Sequence, residues 1–384
     1  MNKHFVTLTL LTSLALICAS LTGVALAEDP VQFYAQPPIH IITGPDVNPG
    51  GPPPSAETPG SIACIYKLVK QTKGCPIATS KTLPTGGWGA VALVDAFDNP
   101  QAANDVKVWA QQFGIKNYSF KVVFATGKRP QFNSNWALEE SLDIEMAVSM
   151  APKAKIYLVE AATNNNNDLY FAETVAAGLV AKAGGGVISN SWQGGEYATE
   201  DKDGKTYFNH PGVVYFASSG DGGYKHTGFP AVSPYVVAAG GTQILRSAGN
   251  FTAEWYWSGG GSGLSVYEAR PAYQDIIKKI VGTQRGVPDF SAVATNVPVY
   301  SGSDGGWFVV SGTSISSPLL ASIVNAAASK AKSSDAELTQ LYKDYSSKTE
   351  YKADFRDITI PTNVCTKGWD LCTGLGAPLT YKGK

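Results

Sequence analysis

The sequence predicts an α/β protein with a central, mostly parallel sheet flanked by helices, and three observations support this. The chain has 384 residues, 44% hydrophobic and 16% charged, which is enough for one large core. The apolar, β-rich runs at 186–188 and 212–217 are typical of buried parallel strands. Elsewhere apolar residues recur with helical spacing, as at Leu138, Leu142 and Met146.

The first part of the chain divides into two segments before the main domain. Residues 1–27 carry an apolar run and then Ala25-Leu26-Ala27, which predicts a cleaved signal peptide and a secreted or periplasmic protein. No other run approaches the roughly 18 apolar residues of a membrane span, so we expect no membrane association after cleavage. Residues 28–60 are rich in Pro and Gly and predict an extended or disordered linker. The main domain is predicted at 61–384.

Charge and cysteine content narrow the class of protein further. The formal net charge is −1 and no basic patch is present, so we expect no nucleic-acid partner. We also expect a monomer. The cysteines outside the signal form two local pairs, Cys64 with Cys75 and Cys365 with Cys372. In an exported protein these spacings predict two disulfides. A metal site of four thiolates is the alternative, but the absence of a C-x-x-C motif argues against it.

The segment 311–318 combines a β-rich run, a tight glycine turn and the start of an apolar helix. This arrangement places the Ser314 hydroxyl at a helix N-terminus, where free N–H groups and the helix dipole stabilise developing negative charge. A nucleophilic serine needs such surroundings, because its attack creates an oxyanion. The alternative is an ordinary N-cap before a buried helix.

A nucleophilic serine also needs a base, and the histidines do not offer one. They are His4, His40, His210 and His226, and they lie in the predicted signal, a Pro-rich stretch and loop-like contexts. A candidate base lies instead on a predicted helix whose expected N-cap is Ser134 or Asn135. Glu139 and Asp143 are four residues apart and share one face, so each should raise the pKa of the other. Such a pair can act as a general base in acid, although a solvated acidic face is the alternative.

Asp221 follows the apolar strand at 212–217, at the end of parallel strands where functional groups gather. An Asp-Gly turn without chemistry is the alternative. A carboxyl group can donate a hydrogen bond to an oxyanion only when it is protonated, and the usual pKa of Asp is about 3.9. The sequence therefore predicts chemistry that is favoured at acidic pH.

Together these motifs, across roughly residues 61–380, resemble the sedolisin family of serine-carboxyl peptidases. The resemblance implies a subtilisin-like three-layer domain in which Glu139 is the general base, Asp143 its partner, Asp221 the oxyanion donor and Ser314 the nucleophile. It implies a secreted endopeptidase that hydrolyses proteins or peptides in acid through a Ser314 acyl-enzyme. Two alternatives remain, a tripeptidyl exopeptidase of the same family and a catalytically silent secreted binding protein.

The chain departs from the family pattern near its N-terminus and in the predicted substrate pocket. Most members carry a large folded prosegment, whereas only about 33 residues separate the predicted signal from Ser61 here, so we expect a form that lacks it. The segment Ser191-Trp192-Gln193-Gly194 resembles the wall of the substrate pocket, with Gln193 where glycine is usual. These four residues are the predicted substrate-binding residues, although Trp192 suits a core position equally well.

The resemblance also implies one Ca²⁺ ion near the C-terminus. Carboxylates and carbonyls are the ligands that Ca²⁺ prefers. The matching positions are Asp357, Ile358, Thr366, Gly368 and Asp370, with Thr366 in place of a family glycine. The alternative is a pair of turn aspartates without a metal.

Overall fold

The computed structural model describes residues 32–46, 51–327, 329–361 and 364–384, and the predicted signal peptide 1–27 lies outside them. Its helices are α1 (Pro59–Ile65), α2 (Ala102–Phe113), α3 (Ser134–Met150), α4 (Asn166–Lys182), α5 (Glu200–Tyr207), α6 (Lys278–Val281), α7 (Thr313–Ala327), α8 (Ser334–Ser346) and α9 (Lys348–Asp354), with a 3₁₀ helix at Ala272–Ile277. Its strands are β1 (His40–Asp46), β2 (Ala90–Ala96), β3 (Ser119–Phe124), β4 (Lys155–Ala161), β5 (Gly186–Asn190), β6 (Val213–Ser218), β7 (Val237–Ser247), β8 (Asn250–Tyr256), β9 (Gly263–Ala269), β10 (Gln284–Val287), β11 (Phe290–Val293), β12 (Val297–Ser301), β13 (Gly306–Ser311), β14 (Phe355–Arg356) and β15 (Ala377–Pro378).

The main sheet has eight strands and is parallel except at one edge. Seven strands follow the order β11-β7-β6-β5-β2-β4-β3, and β8 pairs antiparallel with β7. Every neighbouring pair along the seven-strand path is parallel. The central strands β2, β5 and β6 are buried along their whole length, as expected where helices cover both faces of a sheet. The predicted central, mostly parallel sheet is confirmed.

Helices cover the sheet on two faces and give three layers. Along β2, Val91 and Leu93 pack in the core that contains the apolar residues of α3 and α7. Their neighbours Ala92 and Val94 pack in a second core with residues of α4. This alternation follows from the two-residue period of a strand. The same period directs consecutive side chains of the active-site strands to opposite layers.

The predicted linker 28–60 is folded in its described parts, which corrects the expectation of a disordered segment. β1 pairs antiparallel with β13, and β12 completes this second sheet. Glu57 is buried and forms an ion pair with Arg246 at 2.5 Å, and the Thr58 side chain caps α1. Proline and glycine content did not reveal this order, because β1 is stabilised by a partner strand far away in the chain.

The two predicted disulfides, Cys64–Cys75 and Cys365–Cys372, are confirmed. The first joins α1 to the loop that follows it, and the second closes a loop near the C-terminus. Each bridge is local, so each closes a short loop and constrains the unfolded chain less than a long-range bridge would. Within the described part of the chain, no helix combines the length and apolarity that a membrane span requires.

Candidate active site

Helix α3 carries the predicted carboxylate pair into the interior of the protein. Its N-cap is Asn133, just before the expected Ser134 or Asn135. The Asn133 side chain accepts a hydrogen bond from the Trp136 N–H. Glu139 and Asp143 are both fully buried. The alternative of a solvated acidic face is therefore wrong for this helix.

The buried carboxyl groups form a cluster beneath the site. Burial raises the pKa of Glu139 and of Asp143 well above their usual values, and the charge of Asp95 on β2 raises both further. Burial also raises the pKa of Asp95 itself, to about 8. Glu140 and Glu160 adjoin the same cluster, and burial raises the pKa of Glu160 to about 9. The cluster therefore retains protons at a pH where exposed carboxyl groups are ionised.

Ser314 lies in the first turn of α7, directly after the turn that ends β13. It is fully buried, and its hydroxyl lowers the pKa of Glu139, so the two side chains are close. Glu139 is the group that interacts with Ser314 Oγ, and no other described residue forms a hydrogen bond with this oxygen. The hydroxyl is thus near the carboxylate and free to form a new bond.

Asp221 reaches the same helix end from the loop after β6. Its Oδ1 accepts hydrogen bonds from the Thr313 N–H and hydroxyl, both at 2.9 Å. Burial raises the pKa of Asp221, while its bonds to His40 and Thr313 lower it. The charge of Asp221 also raises the pKa of Glu139, so the structure brings all four predicted residues, Glu139, Asp143, Asp221 and Ser314, to one place.

The predicted pocket wall at 191–194 divides into parts with different roles. The Ser191 hydroxyl donates to Asp143 Oδ1 at 2.7 Å and lies 3.3 Å from the Ser314 carbonyl, so it positions the acid. Trp192 is fully buried and donates to the Val94 carbonyl, which corrects its assignment as a substrate contact. Gln193 and Gly194 lie on one wall of a groove that has Asn164 on its other wall and Ser314 at one end, and both contact another part of the chain.

That part is the stretch Phe33–His40, which lies along the groove. The Gln36 N–H donates to the Gln193 carbonyl at 3.0 Å, and the Gln193 N–H donates back at 3.1 Å. On the opposite wall, Ala35 exchanges hydrogen bonds with Asn164, from its N–H to the Asn164 carbonyl and from the Asn164 amide to its carbonyl, both at 2.8 Å. The stretch is therefore held between two walls in an extended conformation.

The same stretch continues directly over the predicted nucleophile. The Pro38 carbonyl oxygen lies 3.5 Å from the Ser314 N–H nitrogen. A Cβ on Gly312 would lie 2.0 Å from that oxygen, so glycine is required for this approach. Two residues on, His40 Nε2 lies 3.1 Å from Asp221 Oδ2, and this contact raises the pKa of His40.

Sequence reasoning missed several residues at this site. Asp95 lies near the C-terminal end of the buried strand β2, and Asp221 follows the C-terminal end of β6, so the same criterion could have identified Asp95. Asn164 and the pairing of Gln36 with Gln193 left no local signal, because they depend on chain segments that meet only in the folded protein. His40 was excluded as a base, and it contacts Asp221 rather than Ser314.

The predicted calcium ligands partly fit a hard cation. The charge of Asp357 raises the pKa of Asp370, so the two carboxylates are neighbours whose repulsion a divalent ion would offset. However, Thr366 and Gly368 present their N–H groups to these carboxylates, at 2.7 Å and 3.1 Å, rather than the expected carbonyls. Ile358 is buried beside them. Cys365 and Cys372, which adjoin Asp370, are joined in a disulfide and are not metal ligands.

The fold and the site geometry define a subtilisin-like domain, and comparison with solved structures agrees. A sedolisin from Pseudomonas, solved with pseudo-iodotyrostatin, matches with a TM-score of 0.69 and 22% identity over 84% of this chain and 95% of that one. The protein named Sphericase matches with a TM-score of 0.56 and 18% identity over 83% of this chain and 97% of that one. At these identities the likeness establishes the three-layer subtilisin-like fold.

Sequence comparison finds relatives among known peptidases. Kumamolisin of Bacillus sp. (strain MN-32) is 31% identical over 283 residues, 63% of this chain and 49% of that protein. Tripeptidyl-peptidase 1 of Dictyostelium discoideum is 25% identical over 72% of this chain and 50% of its own length. Sedolisin of Pseudomonas sp. (strain 101) is 34% identical over 26% of this chain and 19% of its own length. No family model matches the sequence.

The chain is similar in sequence to kumamolisin, sedolisin and tripeptidyl-peptidase 1, and these relatives support a place in the sedolisin family. It spans about half the length of kumamolisin and of tripeptidyl-peptidase 1, the two relatives that it matches over most of its own length.

Proposed function

We propose that this chain is a secreted or periplasmic serine-carboxyl endopeptidase that cleaves proteins or peptides at acidic pH. The observation that supports this most is the convergence of Ser314, Glu139 and Asp221 at the N-terminus of α7. A catalytically silent binding protein would not need a buried carboxylate cluster under a free serine hydroxyl, because burying charge costs stability.

In the proposed reaction the Ser314 oxygen attacks the carbonyl carbon of the substrate. The hydroxyl proton of Ser314 passes to Glu139. Asp143 shares protons with Glu139, and the Ser191 hydroxyl positions Asp143 by a 2.7 Å hydrogen bond. The Ser314 N–H and a protonated Asp221 donate to the oxyanion. Glu139 then gives its proton to the leaving amine, and water releases the acyl group by the same steps in reverse order.

The protonation states required by this mechanism predict a bell-shaped pH profile. Glu139 must be able to accept a proton, whereas Asp221 must carry one. Activity should fall in strong acid when the cluster is fully protonated, and it should fall again as the pH rises through the pKa of Asp221. Departure of His40 from Asp221 removes an interaction that lowers the pKa of Asp221, which extends the active range upward.

A tripeptidyl exopeptidase is the second candidate, since one relative is named Tripeptidyl-peptidase 1. The two activities leave different products from a denatured protein. An endopeptidase gives internal peptides of mixed length, whereas the exopeptidase gives successive tripeptides from the N-terminus. Mass spectrometry of a digest at graded pH separates them.

The Ser314→Ala variant tests the proposal, and Ser322→Ala is its matched control. Ser322 is buried in the same helix, and its hydroxyl has no hydrogen-bond partner among the described residues. We expect Ser314→Ala to lose peptidase activity and keep the wild-type circular dichroism spectrum, and Ser322→Ala to keep activity. Equal activity of both variants, or no cleavage by the wild-type protein at any pH from 3 to 8, would contradict the proposal.

A further inference from the structure

The stretch Phe33–Pro38 is held in the groove by backbone contacts that do not depend on its side chains. Gln36 pairs with Gln193 and Ala35 with Asn164, one on each wall. Backbone pairing of this kind can bind any extended peptide, because every residue except proline offers the same groups. The groove therefore has the means to bind a peptide segment of another protein in the same way.

The position of this stretch relative to Ser314 assigns each residue a place. A carbonyl at the Ser314 N–H is where the residue before a cleaved bond would lie, and Pro38 places its carbonyl there. Counting back from Pro38 as the first residue before that bond, Gln36 is the third, Ala35 the fourth and Phe33 the sixth. Ala35 is fully buried, whereas Tyr34 is 63% exposed, so the side chains alternate as in a strand.

Phe33 occupies a small aromatic recess at the far end of this stretch. Its ring lies 5.8 Å from the ring of Tyr197 and 6.5 Å from that of Tyr170, within the range of aromatic pairing. The two tyrosine hydroxyls are joined by a 2.6 Å hydrogen bond, which fixes the recess. A Cβ on Gly194 would lie 2.3 Å from the Phe33 ring, so the recess exists only because residue 194 is glycine.

We propose that this recess is a distal specificity subsite that takes an aromatic side chain six residues before the cleaved bond, and that Phe33 occupies it as an internal competitor. The proposal deepens the proposed peptidase function and rests on it. A groove that binds residues beyond the third is open at that end, so this subsite suits an endopeptidase and not an enzyme that releases tripeptides. The substrate class is an extended peptide segment with an aromatic residue at that place.

The internal stretch is suited to being displaced. Pro37 and Pro38 have no N–H groups, so they donate no hydrogen bonds to the groove walls. The Ile39 N–H donates to the Pro37 carbonyl at 3.0 Å and is likewise not available to the walls. A substrate without these prolines gains backbone hydrogen bonds that the internal stretch lacks. Displacement of the internal stretch by the substrate then depends on the competition between Phe33 and a substrate side chain for the aromatic recess.

A binding experiment in the Ser314→Ala background tests the subsite without needing catalysis. The first probe is a fluorescently labelled decapeptide without proline that has Phe as the sixth residue before the bond aligned with Ser314. The second probe has Ala at that position. We expect the Phe probe to bind about tenfold more tightly than the Ala probe. Adding Phe33→Ala should lower the Kd of the Phe probe several-fold, because the internal competitor loses its anchor.

Tyr34→Ala is the matched control, since it removes a neighbouring aromatic ring that is exposed. We expect it to leave the Kd of both probes unchanged. Gly194→Ala should abolish the preference for Phe over Ala, because the added methyl group fills the recess. The proposal is overturned if both probes bind equally, or if Phe33→Ala and Tyr34→Ala behave alike. If the wild-type protein showed no peptidase activity, the proposed function would be refuted, whereas the binding result would still stand.

Discussion

Asp95→Asn is expected to stabilise the protein near neutral pH and to have little effect in acid. Asp95 is fully buried in β2, and it faces Glu139, Glu140 and Asp143 on α3 and Glu160 on β4. Glu173 on α4 also feels its charge. In the folded protein Asp95 keeps its proton, whereas in the unfolded chain it ionises in water. Asparagine has nearly the same shape and never ionises.

The size of the effect follows from the two pKa values. Burial raises the pKa of Asp95 to about 8, against about 3.9 in an unfolded chain. The folded state therefore binds more protons between these values, and the stability that Asp95 contributes is complete below pH 4 and is lost as the pH rises to about 8. Each pH unit corresponds to about 1.4 kcal/mol. The upper limit is on the order of 5 kcal/mol at pH 8, and proton sharing with the neighbouring carboxyl groups reduces it.

Urea unfolding of Ser314→Ala protein with and without Asp95→Asn measures this difference, since the serine variant prevents self-digestion. We expect equal free energies of unfolding at pH 4 and a gap that widens steadily to pH 8 in favour of asparagine. Asp275→Asn is the control, because Asp275 is 62% exposed in an ion pair with Arg270 and should change stability by less than about 1 kcal/mol. A difference that does not vary with pH would refute the reasoning.

Changes at three other places test further parts of the structure. Asp221→Asn should remove the fall in activity on the alkaline side, because the amide donates at every pH, while Asp221→Ala should reduce kcat about 10²–10³-fold; pH–rate profiles measure both. Glu57→Gln should lower the free energy of unfolding by about 3–5 kcal/mol by leaving Arg246 without its buried partner, as urea titration would show. Removing Ca²⁺ with a chelator should lower the Tm, since an ion at one hundred times its Kd contributes about 2.7 kcal/mol, and Asp370→Ala should abolish this sensitivity.

Each of these predictions has a result that contradicts it. An unchanged alkaline limb in Asp221→Asn would mean that another group controls it. A stable Glu57→Gln variant would mean that residues before α1 contribute little to the fold. Identical melting curves with and without chelator, together with metal analysis that finds no Ca²⁺, would exclude the ion at Asp357 and Asp370.

The sequence by itself determined the features that depend on neighbouring residues. One short segment contains the strand, the glycine turn and the helix around Ser314. A second short segment contains Glu139 and Asp143, four residues apart. The disulfides could be paired because each closes a short loop. The continuous apolar runs of the buried strands predicted a mostly parallel sheet, since such strands are covered on both faces.

Only the tertiary structure decided which of these residues meet and what covers them. Asp95 joins the carboxylate cluster because β2 lies next to β4 and beneath α3, an adjacency that no local pattern records. Trp192 belongs to the core because the backbone at that point directs its side chain away from the groove. The stretch Phe33–His40 looked like a linker because its hydrogen bonds are made with walls that are distant in sequence. Local propensity cannot predict such pairing, since the free energy that stabilises it comes from contacts that exist only after the chain has folded.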